Sequence, residues 1–235
     1  MPIDYNKRPS KGAAPPAAAS PPSGPISLTK RGQQVNLTKG GGSGPVRINL
    51  NWNQQPPQNT GGSGGGGMLK RALAKAAAGA GSGGIDLDLG CLFEMADGRK
   101  GAVQALGNSF GSLDEPPWVK LDKDDRSGSA TDGENLFVSE KHSADIKRLA
   151  VFAFIYQGTK NWSQAGGKVT IHPPSGAPIT IELDETRDGV GMCSICLIHG
   201  GSSGFTVQRE VRYITDHREL DKLYGWEMNW TRGSK

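Results

Sequence analysis

Short runs of alternating apolar and polar residues recur along this chain, and a period of two marks a half-buried β-strand. In 46–52, Val46, Ile48, Leu50 and Trp52 share one face while Arg47, Asn49 and Asn51 share the other. In 85–93, Ile85, Leu87, Leu89 and Cys91 are expected to point inward, and Asp86, Asp88 and Gly90 to project opposite them. Further strands are expected at 101–106, 118–121, 149–156, 168–172, 179–183, 192–198, 205–213 and 225–231. Turn signals separate them, among them Asp97-Gly98, Pro116-Pro117, Gly166-Gly167, Asp188-Gly189 and Gly200-Gly201. Residues 26–37, with a turn at Arg31-Gly32, read as a hairpin-like start, and 216–224 as one short helix. Many short strands with little helical periodicity imply an all-β fold, an antiparallel β-sandwich or barrel.

Not all of the 235 residues suit such a fold. Residues 1–84 hold 17 of the 35 glycines and 10 of the 15 prolines. The first 25 residues, rich in Pro, Ala and Ser, cannot bury enough surface to offset their ordering entropy and read as a disordered tail. They contain no apolar stretch of the kind a secretory signal needs. Residues 56–84 form a second departure, Gly-rich at both ends around a helix-forming segment at 68–78. There Leu69, Leu73 and Ala76 share a face and Lys70, Arg71 and Lys75 spread over the rest. The segment reads either as a linker with nascent helix or as a basic amphipathic helix for peripheral contact with an anionic membrane or a partner. The organisation expected is a tail at 1–25 and one β-domain at 26–235, interrupted by the insertion at 56–84.

Charge divides along the same line. Through Ala80 there are ten Lys/Arg and one acid, +9, and from Gly81 onward 17 Lys/Arg and 22 Asp/Glu, −5. The net +4 is therefore an average of a basic front and an acidic body, not the footprint of a nucleic-acid-binding domain. No run is long enough and apolar enough for a membrane-spanning helix. Three cysteines in a chain with no export signal fit a reducing cytoplasm.

The usual catalytic signatures fail on context. Gly62–Gly67 lacks the Lys-Ser/Thr of a phosphate-binding loop, and the Gly-x-Ser-x-Gly matches at 61–65 and 200–204 lie in a linker and between two strands. His142, His172, His199 and His217 show no metal spacing. Cys193 and Cys196 make a lone Cys-x-x-Cys in an apolar strand, where residues three apart point to opposite faces. They read as core thiols.

The carboxylates are more informative. Asp86 and Asp88 project from one face of a strand, Asp122, Asp124 and Asp125 follow another strand, and Asp132, Glu134 and Asn135 sit in the next segment. Hard oxygen donors in Gly- and Ser-containing loops suit Ca²⁺, which takes about six to eight oxygens in flexible geometry. The other reading is that these are solvated strand ends and loops.

At these residues the sequence resembles a known family, the tellurium-resistance stress proteins with their TerD-like β-sandwich, and within it the TerA branch. Ile26-Ser-Leu-Thr-Lys-Arg-Gly-Gln-Gln-Val-Asn-Leu-Thr-Lys39 resembles the family's opening, Asn49-Leu-Asn-Trp52 its next strand, and Ile85-Asp-Leu-Asp-Leu-Gly-Cys91 its Asp-Leu-Asp segment. Gly133-Glu-Asn-Leu136 resembles the Gly-Asp-Asn-Leu motif, with Glu134 in place of Asp. Segments 103–111, 121–128, 152–158 and 224–227 are similar to the TerA branch. The resemblance implies a Ca²⁺-binding β-sandwich of the cytoplasmic stress response, including tellurite resistance, with no known enzymatic activity.

By position it carries over Asp86, Asp88, Glu134 and Asn135 as ligands. Asp122, Asp124, Asp125 and Asp132 join them from the clustering alone. Residues 137–143 offer only Glu140 where the family continues acidic, so one Ca²⁺ site is expected. Other stress-response proteins are the expected partners, with possible peripheral contact at the inner face of the membrane through 68–78, and no nucleic acid. Two other readings stand beside this one. One is a metal-free interaction scaffold using the acidic loops and the basic insertion. The other is an enzyme reducing an oxyanion through Cys193 and Cys196.

Overall fold

The computed structural model describes residues 24–38, 44–53, 85–122, 133–158, 160–187 and 189–230. The tail at 1–23 and the segment at 54–84 lie outside the described residues, as does the expected helix at 68–78.

Among the described residues thirteen strands form two sheets, the architecture of a β-sandwich. The first sheet runs β1(Ile26–Ser27), β11(Ile179–Leu183), β10(Gly167–His172), β3(Val46–Asn51), β8(Glu134–Val138), β7(Val119–Leu121) and β6(Gly111–Ser112). The second runs β2(Gln34–Thr38), β13(Gly204–Ile214), β12(Met192–Gly201), β9(Ile146–Gln157), β4(Asp86–Met95) and β5(Lys100–Gln104). Every pairing is antiparallel except β1 with β11.

The alternation of 46–52 is realised as expected. Val46, Ile48, Leu50 and Trp52 enter the core between the sheets, where they meet Leu87, Leu89 and Cys91 of β4 and Val169 and Ile171 of β10. Because β3 pairs with β8 and β10, residues 46–51 are integral to the sandwich although they precede the insertion.

Two expectations are corrected. Residues 26–37 are not a hairpin, because β1 joins the first sheet and β2 the second. The Arg31-Gly32 turn instead carries the chain across the sandwich, with Gly32 at φ +78° and its amide bonded to the Arg209 carbonyl at 2.8 Å. Described residues 225–230 form no strand. After α1(Trp162–Ala165), a single turn before β10, the second helix is α2(His217–Tyr224); residues 225–230 follow it and lie over the outer face of the second sheet, where Trp226 and Leu220 pack with Leu92, Phe152 and Met192 as a second apolar cluster.

That layer is pinned by polar contacts. Asp216 caps α2 by accepting from the amides of Arg218 and Glu219. Asp221 accepts from the amides of Glu227 and Met228 and from Trp230 Nε1. Arg148 lies 3.9 Å from the Trp226 ring centre and donates to Glu94 and to the Tyr224 carbonyl.

Candidate metal centre

The acidic residues of β4 sit on a strand buried on both faces. Leu87, Leu89 and Cys91 fill the inter-sheet core, while Asp88, Gly90 and Leu92 point to the covered outer side, so Asp88 is only 1% exposed. Gly90 is obligatory there, because a Cβ would stand 2.7 Å from the Phe152 ring and 2.9 Å from the Val103 carbonyl oxygen. Asp86 is half-buried at the strand's start. The preceding residue is held by Trp52, whose Nε1 donates to the Ile85 carbonyl at 2.8 Å.

Glu134 reaches this strand from the opposite sheet. β5 pairs only with Gly90–Glu94, so the edge of β4 at Leu89 lies beyond its end. Glu134, the first residue of β8, crosses the sandwich and accepts from the Leu89 amide through Oε2 at 2.6 Å. Gly133 makes this placement possible, with φ at +64° and a backbone so close to β3 that a Cβ would lie 2.0 Å from the Leu50 carbonyl oxygen. Glu134 is fully buried. Asp88 and Glu134 are thus two carboxylates out of water, one carried by β4 and the other bonded to the amide of the residue that follows it.

Asn135 and Asp122 stand apart from them. Successive strand residues face opposite ways, and Asn135 points to the outer face of the first sheet. Its Nδ2 donates to Asp122 Oδ2 at 3.0 Å, its amide to Asp122 Oδ1 at 3.2 Å, and the Asp122 amide to its carbonyl at 3.0 Å. Its Oδ1 accepts from Asn49 Nδ2 at 3.0 Å and Arg47 Nη1 at 3.3 Å. Of the five described candidates, the structure joins Asp122 with Asn135 and ties Glu134 to β4, the strand that carries Asp86 and Asp88. Asp124, Asp125 and Asp132 lie outside the described residues. Among the described residues no three His, Cys, Asp or Glu side chains converge as a metal-holding group.

The Glu134 carboxylate at Leu89 and the Asp88 carboxylate beside it in sequence are oxygen donors of the kind a hard cation takes. Cys91 faces the other way, and burial pushes its thiol up to about 12. Cys193 and Cys196 are free, fully buried thiols. A bulge between Ser194 and Cys196 shifts the register, so both sulfurs enter the inter-sheet core and do not point to opposite faces. Burial raises both thiol pKa values far above the ordinary range, which suppresses the thiolate a reductase would need.

What the sequence missed was the partnership of Glu134 with Leu89. Gly133-Glu134 reads as loop, yet it opens a strand, and the only local hint is the glycine placed before a buried acid.

The fold is that of a known class. A crystallised homologue of the telluride resistance protein TerD from Streptomyces coelicolor superposes with a TM-score of 0.50 at 16% identity, covering 76% of this chain and 94% of that one. A crystallised protein of unknown function gives a TM-score of 0.50 at 12% identity, covering 77% and 95%. These likenesses establish a TerD-like β-sandwich. No protein-family model matches the chain. In sequence it is 38% identical over 210 residues to the tellurium resistance protein TerA of Alcaligenes sp.. The match covers 89% of this chain and 58% of that relative's length. In fold the chain is similar to the TerD-like tellurium-resistance proteins and in sequence to their TerA branch, of whose relative it spans little more than half the length.

Proposed function

We propose that the chain is a non-enzymatic Ca²⁺-binding protein of the tellurium-resistance and chemical stress response, its one ion drawing ligands from the acidic segments 86–88 and 122–135 together, with Asp88 and Glu134 among them. The observation that carries this reading is the crossing of Glu134 to the Leu89 amide, beside the buried Asp88. Like charges gathered out of water disfavour their own ionised forms, and a divalent cation reverses that balance. Ca²⁺ would supply charge neutralisation and oxygen coordination there.

The protein's own contribution is position. Gly133 delivers Glu134 from the first sheet, the end of β5 leaves the Leu89 amide accessible to it, and Trp52 holds the start of β4. Because the ligands come from both sheets, binding would be coupled to how firmly the sandwich closes. Asp122 and Asn135 fix the register of β7 on β8. The role is structural or regulatory, in the cytoplasm or peripheral to the membrane's inner face, with other stress-response proteins as partners. Among the described residues no helix is long and apolar enough to cross a membrane.

A metal-free interaction scaffold is the second reading. It is favoured by Asn135, whose carbonyl oxygen is already taken by Arg47 and Asn49.

Calorimetric titration separates the two. Wild-type chain is expected to bind one Ca²⁺, and Asp88→Asn with Glu134→Gln to weaken it at least a hundredfold. Asp122→Asn should change affinity only a few-fold. Absence of Ca²⁺ binding in the wild type, or equal affinity in the double variant, overturns the calcium reading.

A further inference from the structure

Among the described residues the two sheets leave four strand edges, and three of them are blunted. An unpaired edge offers a row of amides and carbonyls to any passing strand, and folds guard against that with short edges, charge or a covering loop. In the first sheet the edge strands β1 and β6 are two residues long. In the second sheet β5 carries Lys100, and the turn after it folds back over its edge. There the Gln104 amide donates to the Ser109 carbonyl at 2.8 Å and the Ser109 amide to the Gln104 carbonyl at 3.1 Å. The Ser109 hydroxyl donates to the Ala102 carbonyl at 2.6 Å.

Among the described residues the fourth edge, β2, has none of these guards. It runs Gln34-Val35-Asn36-Leu37-Thr38, with no charge, no proline and no register shift against β13, its one neighbour in the sheet. The turn before it sets its hydrogen-bond phase. The Gly32 amide donates to the Arg209 carbonyl at 2.8 Å and the Arg209 amide to the Gln33 carbonyl at 2.9 Å, so Gln33 stands opposite Arg209 as a bonded position. In an antiparallel ladder every second residue bonds the same neighbour, which assigns Val35 and Leu37 to β13. The amides and carbonyls of Gln34, Asn36 and Thr38 therefore point away from the sheet.

Side chains alternate across the same strand. Val35 and Leu37 face the inter-sheet core, but Leu37 is buried and Val35 only half-buried. Asn36 stands on the outer face, where its Oδ1 accepts from the Thr206 hydroxyl at 2.9 Å.

We propose that β2 is a dimerisation edge, at which a second copy of this chain pairs antiparallel about Asn36 and joins the two second sheets into one. The occupant follows from the strand's own pattern. A two-fold axis at Asn36 sets that residue against its counterpart, Gln34 against the partner's Thr38, and Val35 against the partner's Leu37. This register uses the whole strand and makes bonded pairs of all three outward positions. Apolar residues meet on the core face, no charge opposes its like, and the added strand covers the open side of Val35. None of these residues is a candidate metal ligand, so the proposal does not rest on the calcium reading.

Sedimentation of the full chain over a dilution series is the experiment. Wild type is expected to be a dimer that dissociates on dilution. Asn36→Pro removes an outward amide and leaves the ladder with β13 intact, so it should give a folded monomer. Because Asn36 meets itself at the axis, Asn36→Lys and Asn36→Glu should each weaken dimerisation about tenfold through like charge. An equimolar mixture of those two variants should recover the dimer, which loss of the Thr206 contact alone would not allow. Should the proline variant not fold, the charge pair decides. A wild type that stays monomeric, charge variants that dimerise as wild type does, or a mixture that recovers nothing overturns the proposal. Calcium affinity of the charge variants should equal that of wild type, so failure of either reading is visible separately.

Discussion

The two sheets present their outer faces to different surroundings. On the first sheet, β3 and β10 alternate between buried and partly exposed residues, with Arg47, Asn49, Thr170 and His172 on the open side. On the second, β4 and β12 are buried almost throughout, because α2 and residues 226–230 cover Gly90, Leu92, Phe152 and Met192. A sheet with one open face advertises itself by alternation, whereas a sheet covered on both faces writes near-continuous apolar runs. Polar residues that do fall inside the second sheet, such as Asp88, Glu94 and Ser194, are buried and held for a reason.

The largest expected effect attacks the cover itself. Trp226 is fully buried, donates through Nε1 to the Phe93 carbonyl at 3.0 Å and carries Arg148 on its ring. Trp226→Ala should cost about 3–5 kcal/mol in urea unfolding, comparable with truncating a residue of the main core. If the covering layer were an ornament on a self-sufficient sandwich, the loss would stay below about 1 kcal/mol and the comparison would fail.

A smaller loss is expected where the layer is tied down. Asp221→Ala removes the acceptor for the amides of Glu227 and Met228 and for Trp230 Nε1, and should cost about 1–3 kcal/mol. Near-UV circular dichroism of Trp226 and Trp230 should weaken with it. Unaltered tryptophan signals would show that the segment holds its place without Asp221.

How legible this architecture is in the sequence follows from the same contrast. Val46 to Trp52 could be read outright, since one face is open and period two survives. The acidic face of β4 was legible as a set, Asp86 with Asp88, but not as buried, because what covers it lies more than a hundred residues downstream. The 225–231 run has the composition of a strand, yet Trp226, Met228 and Trp230 serve as plugs over an existing sheet. Cys193 and Cys196 share a face only through a bulge, a backbone irregularity that residue identity does not encode locally. Glu134 and Arg209 were the least legible: one gains meaning from an amide 45 positions away, the other from a turn at the far end of the chain.

The pH response sharpens the comparison further. His217 lies under the covering layer, stacked edge-on to Phe152 at 5.1 Å between ring centres and bonded through Nε2 to Gln104. Burial lowers its pKa below the ordinary 6.5, with Asp216 opposing that shift. A histidine depressed in the folded state binds its proton more readily when unfolded, so stability is full above about pH 6.5 and declines as pH falls toward the folded value. Thermal unfolding of wild type should show this decline, and His217→Gln should flatten it in that window. An identical profile in the variant would place the acid sensitivity elsewhere. Glu94 is one such place: burial raises its pKa, but the hydrogen bonds and charges of Lys147 and Arg148 outweigh it and hold it below the usual carboxylate range. Its contribution is present above the unfolded glutamate value and is lost at lower pH than the histidine's.

The smallest expected effect comes from the face that no described element covers. Thr170 stands on the open side of β10, between Asn49 of β3 and Thr180 of β11. Thr170→Ala removes a β-branched side chain from a half-exposed ladder and should change stability by no more than about 0.5 kcal/mol. The same truncation on the covered sheet has a different meaning. Ser194, opposite Phe152 and Arg212, is fully buried and bonds the Tyr224 hydroxyl at 3.0 Å, and Tyr224 in turn donates to Glu210. Ser194→Ala therefore removes one of the two hydrogen bonds of the half-buried Tyr224 hydroxyl and should cost about 1 kcal/mol. The ratio of these two small substitutions, measured in one urea series, is the direct reading of whether the covering layer converts an ordinary sheet face into core. Equal losses at both positions would mean that it does not.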